Sequence, residues 1–246
     1  MFNNIQLLVF DIDGVLTDGE AKPLDLPLLA QLAEMNRAAR RDANLPAVTL
    51  CTGRPAPYVE MMLQAIDGHL PAIFENGAGL YVPDGYRFLP HPELEMDGRI
   101  QTVRAHLETN LVQPGTAYFQ PGKEYSLTLF AHNPADTGKL YDQAATALGP
   151  LHSSVDLVYS SSCLNVLPHG IHKGKGIQFL AERTGIPPAD MLGVGDSDVD
   201  IQFLALAGHS AAPANANPQV KEIVHYVAPR ATSDGVRDIL AHFGFD

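Results

Sequence analysis

Cationic residues are scarce in this chain of 246 residues. Sixteen Lys and Arg face 28 Asp and Glu, for a net charge of −12. Such a chain repels phosphate backbones and anionic membrane surfaces, so neither nucleic acid nor membrane is expected as a partner. The one basic cluster, Arg37 to Arg41 in "RAARR", falls at the end of an apparent helix. Cations complement the dipole there, and the cluster reads as a solvated helix end. Cysteine is nearly missing. Cys51 and Cys163 lie far apart and in no metal-ligand spacing, which fits free thiols. Long apolar runs are missing too, since no stretch approaches the ~18 residues of a spanning helix. The opening run "IQLLVF" is too short for a signal sequence and no cleavage site follows it. A cytoplasmic location is therefore expected. Repeats and low-complexity segments are absent.

What is present is ordinary for a globular protein. Hydrophobic residues make up 46% and charged ones 18%, enough apolar content for a core and against general disorder. At roughly 100–200 residues per domain, the length allows one large domain or two modest ones.

The pattern along the chain favours two. Residues 5–10 form a short, continuous apolar run of the kind buried in parallel sheets. Helical spacing follows over 26–41, then strand and turn in "PAVTLCTGR", a proline-led helix in "PAPYVEMMLQAI", and strand and turn in "LPAIFENGAG". This alternation predicts an α/β fold, a doubly wound, Rossmann-like parallel sheet. The alternation then stops. "LYVPDGYRFLP" reads as two strands around a Pro-Asp-Gly turn, 99–111 as a helix, "TAYFQPGKEYSLTLFAH" as a hairpin, "GKLYDQAATALG" as a helix and "VDLVYSSSCLNVLP" as two strands. From residue 172 the earlier alternation resumes, with "SDVDIQFLALAG" as one of its helices. The expectation is a discontinuous core domain over 1–89 and 169–246, interrupted by an α+β cap over 90–168.

The first apolar strand runs straight into acid. "LVFDIDGVLTD" places Asp11, Asp13 and Asp18 within eight residues, an electrostatic cost that a cation should offset. Polar residues end the other core strands as well: Thr52, Gly53 and Arg54; Asn76; and Asp196, Asp198 and Asp200. In open parallel sheets, ligands bind outside the carboxyl ends of the strands, so these clusters should meet in one crevice. Carboxylates with carbonyl and water oxygens suit Mg²⁺, which would offset the crowding of Asp11, Asp13 and Asp196 and leave room for a phosphate. Lys173 supplies a cation, Thr52 a hydroxyl and Gly53 an approachable backbone N–H for phosphate oxygens. Asp11 could attack phosphorus. Asp13, two residues on, could protonate the leaving oxygen and later deprotonate water.

The same residues carry a family resemblance. "DIDGVLTD", "LCTGRP", "HKGKGIQFL" and "GDSDVD" resemble, in order, the four signature motifs of the haloacid dehalogenase (HAD) superfamily. "FENGA" and "APANANPQVKEIVHYV" are similar to landmarks of its Cof-like branch, which includes sucrose phosphatase, phosphomannomutase and archaeal phosphoglycolate phosphatase. The resemblance spans nearly the whole chain, with only architectural likeness in the cap. It implies a HAD core with Asp11 as nucleophile and Asp13 as general acid/base. Thr52 and Lys173 would be the phosphate-binding pair and Asp196 the Mg²⁺ ligand, joined by the Asp11 carboxylate and the Asp13 backbone carbonyl. Asp200 would support the metal shell, and Arg54, Asn76 and Asn215 would be substrate-side or loop-orienting positions. One departure is Val199, where the branch usually has Asn.

Plainer readings compete at several positions. Asp18 and Asp198 fit loop or helix-cap roles. Lys175 reads as solvated, Asn76-Gly77 is a strong turn signal in its own right, and Arg54 could pair with a core carboxylate. Asn215 leans structural, Cys51 fits the core, and His169 and His172 read as solvated or linker residues. The function expected is a Mg²⁺-dependent phosphatase acting, through an aspartyl-phosphate, on small phosphorylated metabolites such as sugar phosphates or phosphoglycolate. A phosphomutase and a non-catalytic metabolite binder stay open as alternatives. A dehalogenase needs no second aspartate, and Asp13 argues against it. Whether the chain works alone or as a homodimer also stays open.

Overall fold

Every residue of the strand Leu7–Phe10 (β1) is buried, so both of its faces need cover. The computed structural model, which describes residues 4–94, 98–160 and 162–245, provides it by alternation. Leu8 and Phe10 join one apolar cluster, with Leu28, Leu32, Val59 and Ile239, while Leu7 and Val9 join another, with Ile177, Leu180, Phe203 and Val220. Successive strand residues point to opposite faces, so a continuous apolar run packs both. Each such Leu or Phe withdrawn from water contributes about 1.5–3 kcal/mol.

The elements after β1 are α1 (Leu26–Arg41), β2 (Ala47–Leu50), α2 (Ala56–Ala65), β3 (Ala72–Phe74), β4 (Gly79–Val82) and β5 (Arg87–Pro90). Next come α3 (Arg99–Leu107), β6 (Ala117–Phe119), β7 (Leu127–Ala131), α4 (Leu140–Leu148), β8 (Val155–Tyr159) and β9 (Leu164–Pro168). The chain ends with α5 (Lys173–Thr184), β10 (Met191–Val194), α6 (Ile201–Leu204), β11 (His209–Ala212), α7 (Pro218–Ile223), β12 (Tyr226–Val227) and α8 (Thr232–Phe243). α1 starts where the Asp25 carboxylate accepts from the Leu28 amide at 3.0 Å, and it ends with Arg40 and Arg41 in its last turn, as the helix dipole favours.

A five-stranded parallel sheet runs in the order β12-β11-β10-β1-β2. The α1, α2 and α8 residues pack on one face and those of α5, α6 and α7 on the other, which is the doubly wound arrangement. β3 differs from a full third parallel strand. It touches β2 through a single bridge, Cys51 to Ile73, and instead heads an antiparallel sheet in the order β3-β4-β5. A second antiparallel sheet, β6-β7-β9-β8, carries its own apolar cluster from Val103 to Val166.

Two helices are shorter than their apolar spacing predicts. The helical run at 99 gives way after Leu107 to a wide π-turn over Glu108–Val112, where the Thr109 hydroxyl and the Asn110 amide donate to the Ala105 and His106 carbonyls. In "SDVDIQFLALAG" only Ile201–Leu204 is α-helical, because the preceding turn is drawn inward by the Asp200 side chain.

One side chain ties the parallel part to the second antiparallel sheet. Glu75 is buried and sits in the left-handed region with φ of 49°. Its carboxylate accepts from the amides of Glu124, Tyr125 and Ser126 at 2.9, 3.0 and 2.8 Å and from the Ser126 hydroxyl at 2.9 Å. Glu75→Ala removes the acceptor of all four donors and leaves the buried Ser126 amide and hydroxyl unpaired. We expect a loss of about 3 kcal/mol in urea unfolding, at unchanged m-value. A change under about 0.5 kcal/mol would show that water replaces the carboxylate without penalty.

Candidate active site

The carboxyl ends of β1, β2 and β10 and the start of α5 converge on a cavity of about 620 Å³. The turn after β1 is tight, with the Ile12 carbonyl accepting from the amides of Val15, Leu16 and Thr17. Gly14 is required in it. Its φ is +81°, and a Cβ there would lie 2.2 Å from Asp196 Oδ2. The turn thereby brings the β1 and β10 carboxylates together.

Lys173 organises them. It is 1% exposed, and its ammonium lies 2.9 Å from Asp11 Oδ1 and 2.5 Å from Asp200 Oδ1. A cation at a helix N-terminus opposes the helix dipole, and burial adds to that cost. The two carboxylates outweigh both, so Lys173 is held well above the usual lysine range. The other oxygen of Asp200 accepts from the amides of Asp196 and Ser197 at 3.0 and 2.9 Å and from the Ser197 hydroxyl at 3.0 Å. Asp200 therefore has both oxygens engaged and orients the Asp196 loop.

Asp11 and Asp196 remain crowded. Burial pushes Asp11 up to about 7, against the pull of Lys173, with Asp200 and Asp13 adding to the rise. Burial followed by the Asp200 and Asp11 charges pushes Asp196 up to about 8. Asp196 Oδ1 is buried with no partner among the described residues. One oxygen each from Asp11, Asp196 and Asp200 lie within 4.8 Å of one another. This donor set, with an orphaned carboxylate oxygen and raised pKa values, fits a hard divalent cation.

The remaining sequence-predicted positions separate. Asp13 is gripped by Arg54 through two hydrogen bonds of 2.7 Å, and Arg54 also stacks over Tyr58 at 4.8 Å. Arg54 thus pairs with a core carboxylate in this structure. The Thr52 hydroxyl accepts from the Arg54 amide at 3.2 Å, and its carbonyl accepts from the Asn76 amide. Gly53 lies against Asn76, so close that a Cβ would be 3.0 Å from the amide group. Asn76 is buried at φ of 57°, and its Nδ2 has no partner among the described residues. Asn215 is structural, donating to the Gly14 carbonyl at 2.9 Å and accepting from the Thr232 amide at 2.8 Å.

Among the positions given plainer readings, Asp18 lines the cavity, and Asp198 accepts from Asn217 at 3.1 Å. His169 pairs with Asp156 at 2.9 Å. His172 is the N-cap of α5, a firmer role than a linker position, and Lys175 pairs with Glu93 at 2.8 Å.

Further residues line the cavity, among them Val199, the departure from the family pattern, and positions of the "QPGKEYS" hairpin and the "YSSSCLN" strands. Val199 lines the cavity with Asn217, whose amide N–H donates to the Asp196 carbonyl at 2.8 Å. From the antiparallel side come Lys123, Thr128 and Asn165. Both segments are candidate substrate contacts in the sequence, though nothing there singles out Lys123.

Comparison with known proteins gives the family. A family model of haloacid dehalogenase-like hydrolases matches residues 116–240. The phosphoglycolate phosphatase of Methanopyrus kandleri is 27% identical over 95% of both chains. That of Methanothrix thermoacetophila is 39% identical over 101 residues, which span 41% of this chain and 46% of the relative. A solved Bacteroides thetaiotaomicron haloacid dehalogenase-like hydrolase superposes with a TM-score of 0.75 at 18% identity, covering 97% of this chain and 99% of its own. The chain belongs to the haloacid dehalogenase-like hydrolase family.

Because Asp11 and Asp196 hold protons up to about 7 and about 8, a divalent cation must displace them on binding. Calorimetric titration of metal-free protein with Mg²⁺ at pH 7, in two buffers of different ionisation enthalpy, should report net proton release. Both folded-state pKa values lie above the unfolded value of 3.8. Their contribution to stability is therefore present at low pH and lost as pH rises toward 8, so Mg²⁺ should raise the Tm more at pH 8 than at pH 5. Binding without proton release would contradict this assignment.

Proposed function

We propose that this hydrolase is a Mg²⁺-dependent phosphatase acting through an aspartyl-phosphate on small phosphorylated metabolites of the sugar phosphate or phosphoglycolate type. One observation carries the reading: a buried strand-end carboxylate, Asp11, lies 2.9 Å from the Lys173 ammonium in the cavity that Asp13 also lines. The full-length likeness to a phosphoglycolate phosphatase supports it.

Lys173 and the Thr52 hydroxyl bind the phosphoryl oxygens and align phosphorus with Asp11. An Asp11 oxygen bonds to phosphorus as the ester P–O bond breaks, and Asp13 gives the leaving oxygen its proton. Asp13 then takes a proton from the water that attacks the aspartyl-phosphate, which frees phosphate and restores Asp11. The Arg54 fork orients Asp13 and must open for it to reach the leaving oxygen. Asp11, Asp196 and the Asp13 backbone carbonyl would hold Mg²⁺, with Asp200 fixing the loop; bound there, the ion supplies positive charge against the transferring group. Residues 90–168 serve as a cap that closes the cavity and excludes water. The closed pose is supported by Glu75 and by the Ser162 hydroxyl, which donates to Glu20 at 2.8 Å.

Phosphate release from a panel of phosphorylated metabolites, with and without Mg²⁺, tests this. Asp11→Asn should abolish release, by about 10³-fold or more, and Asp13→Asn should slow it by about 10²–10⁴-fold. Metal-independent release, or release that persists in Asp11→Asn, would defeat the reading.

A further inference from the structure

Among the described residues the cavity has three cationic lining residues, Arg54, Lys123 and Lys173. Two are paired, Lys173 with Asp11 and Asp200 and Arg54 with Asp13. Lys123 is different. It is 7% exposed, and among the described residues its ammonium has one hydrogen-bond acceptor, the Thr128 hydroxyl. That hydroxyl gives its own proton to Asn165 Oδ1 at 2.8 Å. An ammonium carries three donors, so two are left without an acceptor. The Glu75 charge is near enough to act on Lys123, but its oxygens are taken by the amides of residues 124–126 and the Ser126 hydroxyl. Burial pulls Lys123 down to about 8, against the Glu75 charge.

We infer that Lys123, supported by Thr128 and Asn165, receives a carboxylate on the leaving group of the substrate. This rests on the phosphatase reading and narrows it from neutral sugar phosphates to phosphorylated small acids. Thr128 and Asn165 are register partners on β7 and β9, so the receiving group stands on a sheet. It shares the cavity with Asp11, Thr52 and Lys173, leaving the phosphoryl group to those residues and the far end of the molecule to Lys123. One point-like ammonium balances one carboxylate. The acidic Asp18 and Glu20 also line the cavity and turn an anionic tail toward the Lys123 wall. A neutral tail would leave two donors of the buried ammonium without an ionic acceptor.

The test compares 2-phosphoglycolate with 2-hydroxyethyl phosphate, the same length without the carboxylate. The protein should prefer the acid by about 100-fold in kcat/KM, and Lys123→Met should bring that ratio down toward one, with the change carried by KM. Thr128→Val, which keeps the cation and removes its support, should lower the ratio by about 10-fold and serves if Lys123→Met does not fold. Equal treatment of the two esters by the unmodified protein, or an unchanged ratio in the variants, overturns the inference. Release from neither ester, and from no member of the wider panel, sinks the phosphatase reading separately. Calorimetry then decides about Lys123: tighter binding of the acid that is lost in Lys123→Met sustains the inference, and equal binding of both esters ends it.

Discussion

The architecture of the site depends on one buried ammonium. Asp11, Asp196 and Asp200 stand at strand ends and a turn that the fold forces together, and three carboxylates so placed repel one another in a medium of low dielectric. Lys173 contacts two of them directly. It in turn can lie at a helix N-terminus, 1% exposed, only because those carboxylates face it. Neither side of the arrangement is tolerable without the other. The pair is therefore a constraint on where α5 begins and on how β1 and β10 end.

That constraint propagates outward through hydrogen bonds that have little to do with an apolar core. Asp200 is held by Lys173 through one oxygen and with the other gathers the Asp196 and Ser197 amides, which shortens α6 to four residues. Glu75 does similar work at the end of β3. Two successive left-handed residues, Glu75 and Asn76, re-aim the chain so that one side chain reaches residues 124–126 while the other borders Gly53. Backbone in this region is uncommon for non-glycine residues and persists where surrounding contacts over-determine it. Here four donors to Glu75 provide that determination.

Much of this was legible in the sequence, for a definite reason. A continuous apolar run such as "LLVF" admits few placements other than a doubly covered strand, and polar residues at the ends of parallel strands meet because the strands share a direction. So Asp11, Thr52, Lys173 and Asp196 could be expected in one place. β3 was harder, because its apolar content suits a parallel and an antiparallel neighbour equally. Glu75 and Asn217 were not legible, and Lys123 only as one position of the "QPGKEYS" hairpin, a candidate substrate contact. The importance of Glu75 lies in contacts 49 to 51 positions away, and that of Lys123 in having a single neutral acceptor among the described residues once folded. Local pattern holds no record of either. The split role of Arg54 was open in the sequence, and only the 2.7 Å fork to Asp13 decides it for this conformation.

The two antiparallel and parallel parts contribute cations of different character, and the difference follows from their partners. Lys173 is saturated by carboxylates, so it stays charged and can be shared with phosphoryl oxygens without a large change of state. Lys123 hydrogen-bonds, among the described residues, only to a neutral hydroxyl, with the Glu75 charge acting from further off, so two of its donors wait for an acceptor. A group of the first kind favours any phosphoryl ester alike. A group of the second kind separates esters by what they carry beyond the phosphate, because buried polar groups left unpaired are what discriminate against the wrong ligand. On the proposed phosphatase reading, selectivity in this cavity belongs to the wall whose cation has no ion pair among the described residues.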